Sequence, residues 1–107
     1  MNFNFEMMKE LQEELQEKNK DKWTPISPKC ARDKLLWMMI EAGEMADIIK
    51  KDGDELIMKD EQIREHFIEE MCDTLMYFND IMLCYKIEPK ELESKYIQKH
   101  DINMNRW

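Results

Sequence analysis

The sequence predicts an all-α protein, and three observations favour that class. The 107 residues include only two Gly and three Pro, so residues that interrupt helices are rare. Glu, Lys, Leu and Met, which favour helices, are abundant. Apolar residues recur every three or four positions, as they do on one face of a helix. A chain of this length forms one domain, which we expect to span residues 1–107 as a four-helix bundle.

The first two helices are predicted from their apolar faces and their ends. Helix one runs from about Asn4 to Lys18. The apolar residues on one of its faces are Phe5, Met8, Leu11 and Leu15. The Ser27-Pro28 pair is typical of an N-cap followed by proline, so helix two begins near Pro28. We expect it to end at about Lys51, with Gly53 in a left-handed conformation just beyond.

The second half of the chain predicts two more helices. The segment 54–59 fits either a loop or a short additional turn. Asp60 and Glu61 are typical of a cap and first turn, so helix three begins there and ends before Pro89. Its stripe of core residues is predicted to be Phe67, Met71, Leu75, Phe78, Met82 and Tyr85. Helix four begins at Pro89. The residues expected to face the bundle are Leu92, Tyr96 and Ile97.

Charge and cysteine content exclude several classes of function. The net charge of −8 argues against a nucleic-acid polymer as partner, although a small polyanion can bind beside a metal ion. The three Cys are odd in number and form no CxxC pair, so we expect buried, reduced thiols. No signal sequence and no run of 18 apolar residues is present, which predicts a cytoplasmic protein with no membrane partner.

Two short acidic motifs lie within apolar stretches of the sequence. They are Glu41-Ala-Gly-Glu44 and Glu70-Met-Cys-Asp73. Residues i and i+3 share a helix face, so each motif directs two carboxylates to one side. Buried carboxylates take up protons or need a compensating cation, and hard oxygen ligands suit Mg²⁺, with Mn²⁺ as a substitute. The motifs therefore predict a metal site, which Asp47 and Asp80 would extend as outer or additional ligands.

The alternative is that these carboxylates simply point to water. The chain has 24 acidic residues, and the same spacing recurs in Glu10/Glu13, Glu14/Glu17 and Glu88/Glu91. Those pairs are surrounded by Lys, Gln and further Glu, as on solvated helix faces. The apolar surroundings of the two motifs favour the metal site.

The two motifs, in this order on successive helices, resemble the signature of the MazG-like and dimeric-dUTPase superfamily of all-α nucleotide pyrophosphohydrolases. The similarity covers most of the chain and centres on residues 35–78. The closing Lys99-x-x-x-Asn103-x-x-Arg106 is similar to the phosphate-contacting motif of dimeric dUTPases. The resemblance implies that the triphosphate is held by Lys99, Asn103 and Arg106, and that Mg²⁺ is bound by Glu41, Glu44, Glu70 and Asp73.

The resemblance also bears on the base and on assembly. Gln12 and Gln16 look like the positions that contact the base edge in dimeric dUTPases, and a solvated helix face is the alternative. Each of three aromatic residues has two possible roles, stacking on a base or filling the core: Trp23, Trp37 and Tyr77. This chain is shorter than dimeric dUTPases, and short MazG-like proteins complete their bundles by self-association. A homodimer or homotetramer is therefore expected.

The reaction predicted from this resemblance is hydrolysis of a nucleoside triphosphate to the monophosphate and pyrophosphate, as in cleaning of the nucleotide pool. Glu41 is predicted to orient or deprotonate the attacking water. Two alternatives stay open: a phosphoribosyl-ATP pyrophosphohydrolase, and a helical module that binds metal or nucleotide without catalysis.

Overall fold

The computed structural model describes residues 2–106, and over that range the chain is all-α, as predicted. The α-helices are α1 (Phe5–Lys18), α2 (Ala31–Lys59), α3 (Glu61–Cys84) and α4 (Pro89–Arg106). A short 3-10 helix, Pro28–Cys30, leads into α2. Residues 1 and 107, which belong to the predicted domain, lie outside the described residues.

Local capping chemistry sets the predicted starts of α1 and α3. The Asn4 side chain accepts a hydrogen bond from the backbone N–H of Met7 at 2.8 Å. The Asp60 carboxylate accepts from two backbone N–H groups, those of Gln62 and Ile63, each at 3.0 Å. Both predicted starts are confirmed, because each depends on a side chain next to its own helix.

The predicted break at the end of helix two is confirmed, because the helix that begins at Ala31 is interrupted at Gly53, two residues after Lys51. Gly53 has φ 83° and ψ 165°, a backbone conformation that only glycine adopts readily. Beyond it the chain becomes helical again and continues to Lys59. Residues 54–59 therefore form the additional helical turns that the sequence left open.

Helices α2 and α3 form the main contact of the fold. They are joined by Asp60 alone and pack against each other, while α1 packs on α3. Among the described helices, α4 contacts only α1, and an ion pair of 2.8 Å between Lys9 and Glu88 lies where the two meet. One chain therefore supplies a three-helix arrangement with α4 to one side, and the bundle of four predicted helices is not formed within it.

The apolar interior of the described chain is small. Its buried apolar residues are Ala31, Ile48, Met82 and Cys84. Within the predicted core stripe of α3, Met82 is buried, but Met71, Leu75 and Tyr85 are exposed. The described helices leave these three side chains exposed, so the predicted core stripe is wrong at those positions.

Other buried positions predicted from the sequence are also exposed. Cys84 is buried and Cys30 partly so, but Cys72 is exposed. Tyr96 and Ile97 are exposed because α4 contacts only α1. None of the helices within residues 2–106 combines the length and the apolar character that crossing a membrane requires.

Candidate functional site

A cluster of three carboxylates lies where α2 faces α3. Glu41 of α2 and Glu70 and Asp73 of α3 each bring one oxygen to within 4.8 Å of the others. Glu41 and Glu70 are partly buried, and Asp73 is exposed. Three negative groups at this separation repel one another, so the cluster is stable as an ionised group only beside positive charge.

The two oxygens of Glu70 have different surroundings. Oε1 lies 3.2 Å from Nε2 of His66, one helical turn earlier. Oε2 is buried and accepts no hydrogen bond from residues 2–106. A buried carboxylate oxygen without a donor is unfavourable by several kcal/mol in order of magnitude. The position is therefore one that a bound cation would stabilise.

Glu41 titrates far from its ordinary range. A hydrogen bond with the Glu70 carboxyl, burial, and the charges of Glu70, Asp73 and Glu44 together raise its pKa from 4.5 to about 7. With a pKa of about 7, the Glu41 carboxyl is partly protonated near neutral pH when nothing else offsets the charge. Proton and cation are two ways of satisfying the same group of oxygens.

A cavity of about 500 Å³ opens beside the carboxylates and is lined by both Glu41 and Asp73. Seven residues separate Asp73 from Asp80 on α3, and seven separate Lys34 from Glu41 on α2. At 1.5 Å per residue the cavity therefore extends on the order of 10 Å along the two helices. The volume lies within the usual range for small-molecule sites.

The far end of the cavity is a buried polar group that we call the amide end. It consists of Gln12, Gln16, Lys34 and Asp80, which are between 2% and 8% exposed. Oδ1 of Asp80 accepts hydrogen bonds from Nε2 of Gln12 at 2.8 Å and Nε2 of Gln16 at 3.0 Å. The Lys34 Nζ lies 3.8 Å from Oδ2 and donates to the Thr24 carbonyl at 3.3 Å.

These contacts act against the effect of burial on Asp80. Burial raises the pKa of the Asp80 carboxyl, while the hydrogen bonds from Gln12 and Gln16 and the charge of Lys34 lower it. The amide end is thus a buried carboxylate for which the protein supplies both donors and a counter-ion.

Aromatic rings line the cavity between its two ends. The centroids of Trp37 and Tyr77 are 6.1 Å apart, with the ring planes tilted by 55°. The Lys34 Nζ lies 5.6 Å from the centre of the Trp37 ring, within the range of a cation–π interaction. Trp23, which is 40% exposed, lines the same cavity. A flat apolar ligand can contact these rings while its polar edge meets the amide end.

The structure brings together most of the residues singled out in the sequence. The predicted residues that line this one cavity are Gln12, Gln16, Trp23, Trp37, Glu41, Asp73, Tyr77 and Asp80. Asp80 contacts Gln12, Gln16 and Lys34 there, and its predicted role in metal binding stays a prediction.

Other predicted site residues lie outside this arrangement. Glu44 is exposed and does not belong to the group of three oxygens, although its charge acts on Glu41. Asp47 pairs with Lys51 at 2.9 Å. The predicted phosphate-binding motif lies on α4 with its residues spaced i, i+4 and i+7, and none of them lines the cavity. Its residues are Lys99, Asn103 and Arg106. The roles of these three residues, and those of Glu44 and Asp47, stay predictions.

Sequence reasoning missed two residues of the site, Lys34 and His66. Lys34, Trp37 and Glu41 are spaced i, i+3 and i+7, so they share one face of α2. The available signal was therefore a lysine on the same helix face as two candidate site residues. His66 lies one turn before Glu70, at i and i+4. Both signals are spacings, and neither distinguishes a site residue from an exposed one without the structure.

Searches of protein-family models, of curated proteins and of solved structures found no match to this chain.

Proposed function

We propose that this protein is a Mg²⁺-dependent nucleoside triphosphate pyrophosphohydrolase that releases a nucleoside monophosphate and pyrophosphate. The observation that carries the proposal is the convergence of Glu41, Glu70 and Asp73. Glu41 and Asp73 line a cavity whose walls also carry aromatic rings and glutamine amides. Carboxylates that bind a divalent ion suit phosphate chemistry, and the flat rings suit a base.

The cluster fits a hard divalent cation. Its donors are all carboxylate oxygens, one of which, Oε2 of Glu70, has no hydrogen-bond donor. Glu41, Glu70 and Asp73 would hold the ion, with Glu44 as a fourth ligand, and Mn²⁺ would substitute for Mg²⁺. When bound, the ion would neutralise charge on the phosphate oxygens and on the departing pyrophosphate.

The protein's own residues would position the substrate and the attacking water. Glu41 is a ligand candidate that also lines the cavity, so its carboxylate would orient the water and accept its proton. Trp23, Trp37 and Tyr77 would contact the faces of the base, and Gln12 and Gln16 its edge. The α-phosphorus would then lie at the carboxylate end, where the bond to pyrophosphate breaks.

A MazG-like arrangement, completed by a second copy of the chain, is part of this proposal. The accessible surface is 8599 Å², which is about 2,200 Å² more than a compact monomer of this mass exposes. Twice that excess is comparable to an obligate dimer interface. Exposed apolar side chains on α2 and α3 supply the surface: Leu35, Leu36, Met39, Ile40, Met71 and Leu75. A homodimer satisfies this requirement, and a homotetramer would use the same surface.

The projecting α4 fits the same assembly. Among the described helices of its own chain it contacts only α1. The phosphate motif of Lys99, Asn103 and Arg106 would therefore reach the triphosphate bound to a neighbouring subunit. Arginine offers a planar pair of donors and lysine a point charge for phosphate oxygens.

The deciding experiment follows pyrophosphate and nucleotide products from a panel of nucleoside triphosphates and phosphoribosyl-ATP, with Mg²⁺ and with chelator. Mg²⁺-dependent monophosphate and pyrophosphate from a nucleoside triphosphate is the expected result. Turnover of phosphoribosyl-ATP alone would assign that reaction instead. Nucleotide binding without product would indicate a non-catalytic module. Sedimentation analysis tests the assembly, since a 13.1 kDa species at micromolar concentration would contradict the proposed dimer.

A further inference from the structure

We infer that the amide end selects nucleobases with an exocyclic amino group, cytosine or adenine, over uracil and thymine. The inference rests on the proposed nucleotide substrate and names which bases the same cavity accepts. It depends on how Asp80 orients the amides of Gln12 and Gln16, and on the position of Lys34.

Asp80 fixes which oxygen of each amide is available to a ligand. An ionised carboxylate only accepts hydrogen bonds, so both glutamines direct Nε2 toward its Oδ1, at 2.8 and 3.0 Å. Turning either amide round would place its Oε1 against the carboxylate, acceptor against acceptor. The two Oε1 atoms accept no hydrogen bond from the described residues, and both side chains line the cavity. Two acceptors are therefore left for a ligand.

An exocyclic amino group complements this pair of acceptors. The amino nitrogen of cytosine or adenine carries two N–H donors, one for each Oε1. Uracil and thymine carry a carbonyl oxygen at the corresponding position, which would face two further acceptors. A polar group of the site would then stay unpaired in a buried location, and this is where discrimination between similar ligands is large.

Lys34 supplies the second half of the pattern. Its ammonium group is held by the Thr24 carbonyl and lies beside Asp80, at the same end of the cavity. The ring nitrogen next to the amino group of cytosine or adenine is an acceptor, which an ammonium donor suits. In uracil and thymine that nitrogen carries a hydrogen and would face the ammonium, donor against donor. The two amide acceptors and the lysine donor therefore each favour the edge of cytosine or adenine over that of uracil or thymine.

The first test compares kcat/KM of the wild-type protein for dCTP, dATP, dUTP and dTTP with Mg²⁺. We expect dCTP or dATP to exceed both dUTP and dTTP by at least about tenfold, the effect of one unpaired hydrogen-bonding group in a buried site. Equal or faster hydrolysis of dUTP or dTTP would overturn the inference and leave the proposed reaction standing.

The second test removes the acceptors without changing their size much. Gln12→Met and Gln16→Met should each lower the ratio of kcat/KM for the preferred amino base to that for dUTP by about tenfold. Gln62→Met, an exposed residue at the start of α3, is the matched control and should leave the ratio unchanged. Circular dichroism confirms that each variant is helical. An unchanged ratio in both folded cavity variants would count against the amide end as the selecting group.

A binding measurement separates this inference from the catalytic proposal. If no triphosphate is hydrolysed, calorimetry with Mg²⁺ and the α,β-imido analogues of dCTP, dATP, dUTP and dTTP replaces the rate comparison. Binding of the dCTP or dATP analogue at least about tenfold tighter than both others would support base selection in a protein that does not catalyse. Equal affinity for the four analogues, or no binding of any, would overturn it.

Discussion

Two carboxylate sites on α3, Asp80 and Glu70 about three helical turns apart, differ in what surrounds them. Asp80 is more deeply buried, yet the protein supplies two amide donors and a lysine ammonium for it. Glu70 has a histidine at one oxygen and no hydrogen bond at the other, beside two further carboxylates. The fold completes the first site with its own residues. It leaves the second site short of positive charge, which is the arrangement expected where a ligand supplies it.

The causes of the raised pKa values show the same contrast. At Asp80, burial acts against neighbours that favour the charged form. At Glu41, the neighbouring carboxyl, burial and like charge all act in one direction. A self-contained site should respond to loss of its partners through stability, and an incomplete site should respond to added metal.

The largest expected effect is on the incomplete site. Glu70→Gln should reduce Mg²⁺-dependent pyrophosphate release by at least about 100-fold, since a metal's contribution to catalysis is several kcal/mol. It should also abolish the rise in melting temperature that we expect Mg²⁺ to cause in the wild-type protein. Glu69→Gln, an exposed neighbour, is the control. Wild-type rates in a folded Glu70→Gln protein would remove Glu70 from the site.

The next effect concerns the self-contained site. Lys34→Met leaves Asp80 without its counter-ion in a buried location, so we expect a loss of about 3 kcal/mol in unfolding free energy. Lys51→Met breaks the exposed pair with Asp47 and should change it by less than about 0.5 kcal/mol. Urea denaturation measures both. Similar losses in the two variants would show that burial does not distinguish the pairs.

A smaller effect is the pH dependence of the metal-free protein. The pKa of Glu41 is raised on folding, so its contribution to stability is present at low pH and is lost as pH rises through about 7. We expect chelator-treated protein to lose on the order of 1–2 kcal/mol between about pH 5 and pH 8, a value reduced for solvent screening. Glu41→Gln should remove most of that slope. A slope equal to that of wild type would assign the pH dependence to other groups.

The smallest effect is expected at His66. It contacts Oε1 of Glu70 at 3.2 Å but is exposed, so it positions the carboxylate only weakly. His66→Ala should weaken Mg²⁺ affinity by less than about tenfold, the low end for residues that orient metal ligands. Gln62→Ala, one turn earlier, is the control, and calorimetric titration with Mg²⁺ measures both. A loss as large as that of Glu70→Gln would make His66 a metal ligand and not a residue that orients one.

The parts of the fold that the sequence predicted are those that depend on neighbouring residues. Asn4 and Asp60 cap helices with their own side chains, and Gly53 breaks α2 because only glycine adopts its backbone angles readily. The return to helix after Gly53 and the position of α4 depend on packing between distant segments. Residue periodicity identified the apolar face of α3 but could not show that one chain leaves Met71 exposed.

The site was predictable to a similar extent. Apolar surroundings and i, i+3 spacing singled out Glu41, Glu70 and Asp73, whose oxygens lie close together, while their role as metal ligands stays a prediction. Residues three apart differ by about 60° around the helix axis, so the rotation of α2 against α3 decides whether Glu44 joins them. Spacing does not specify that rotation. The burial of Lys34 beside Asp80 likewise results from the packing of α2 on α3.

The position of Trp37 gives the cavity an optical signal of its own. Its indole ring lies 5.6 Å from a lysine ammonium and 6.1 Å from a tyrosine ring, on the wall that a ligand would contact. Indole fluorescence responds to nearby charge and to stacking, and Trp23 lines the same cavity. Ligand binding in the cavity can therefore be followed by intrinsic tryptophan fluorescence during titration with nucleotide or metal, without a label.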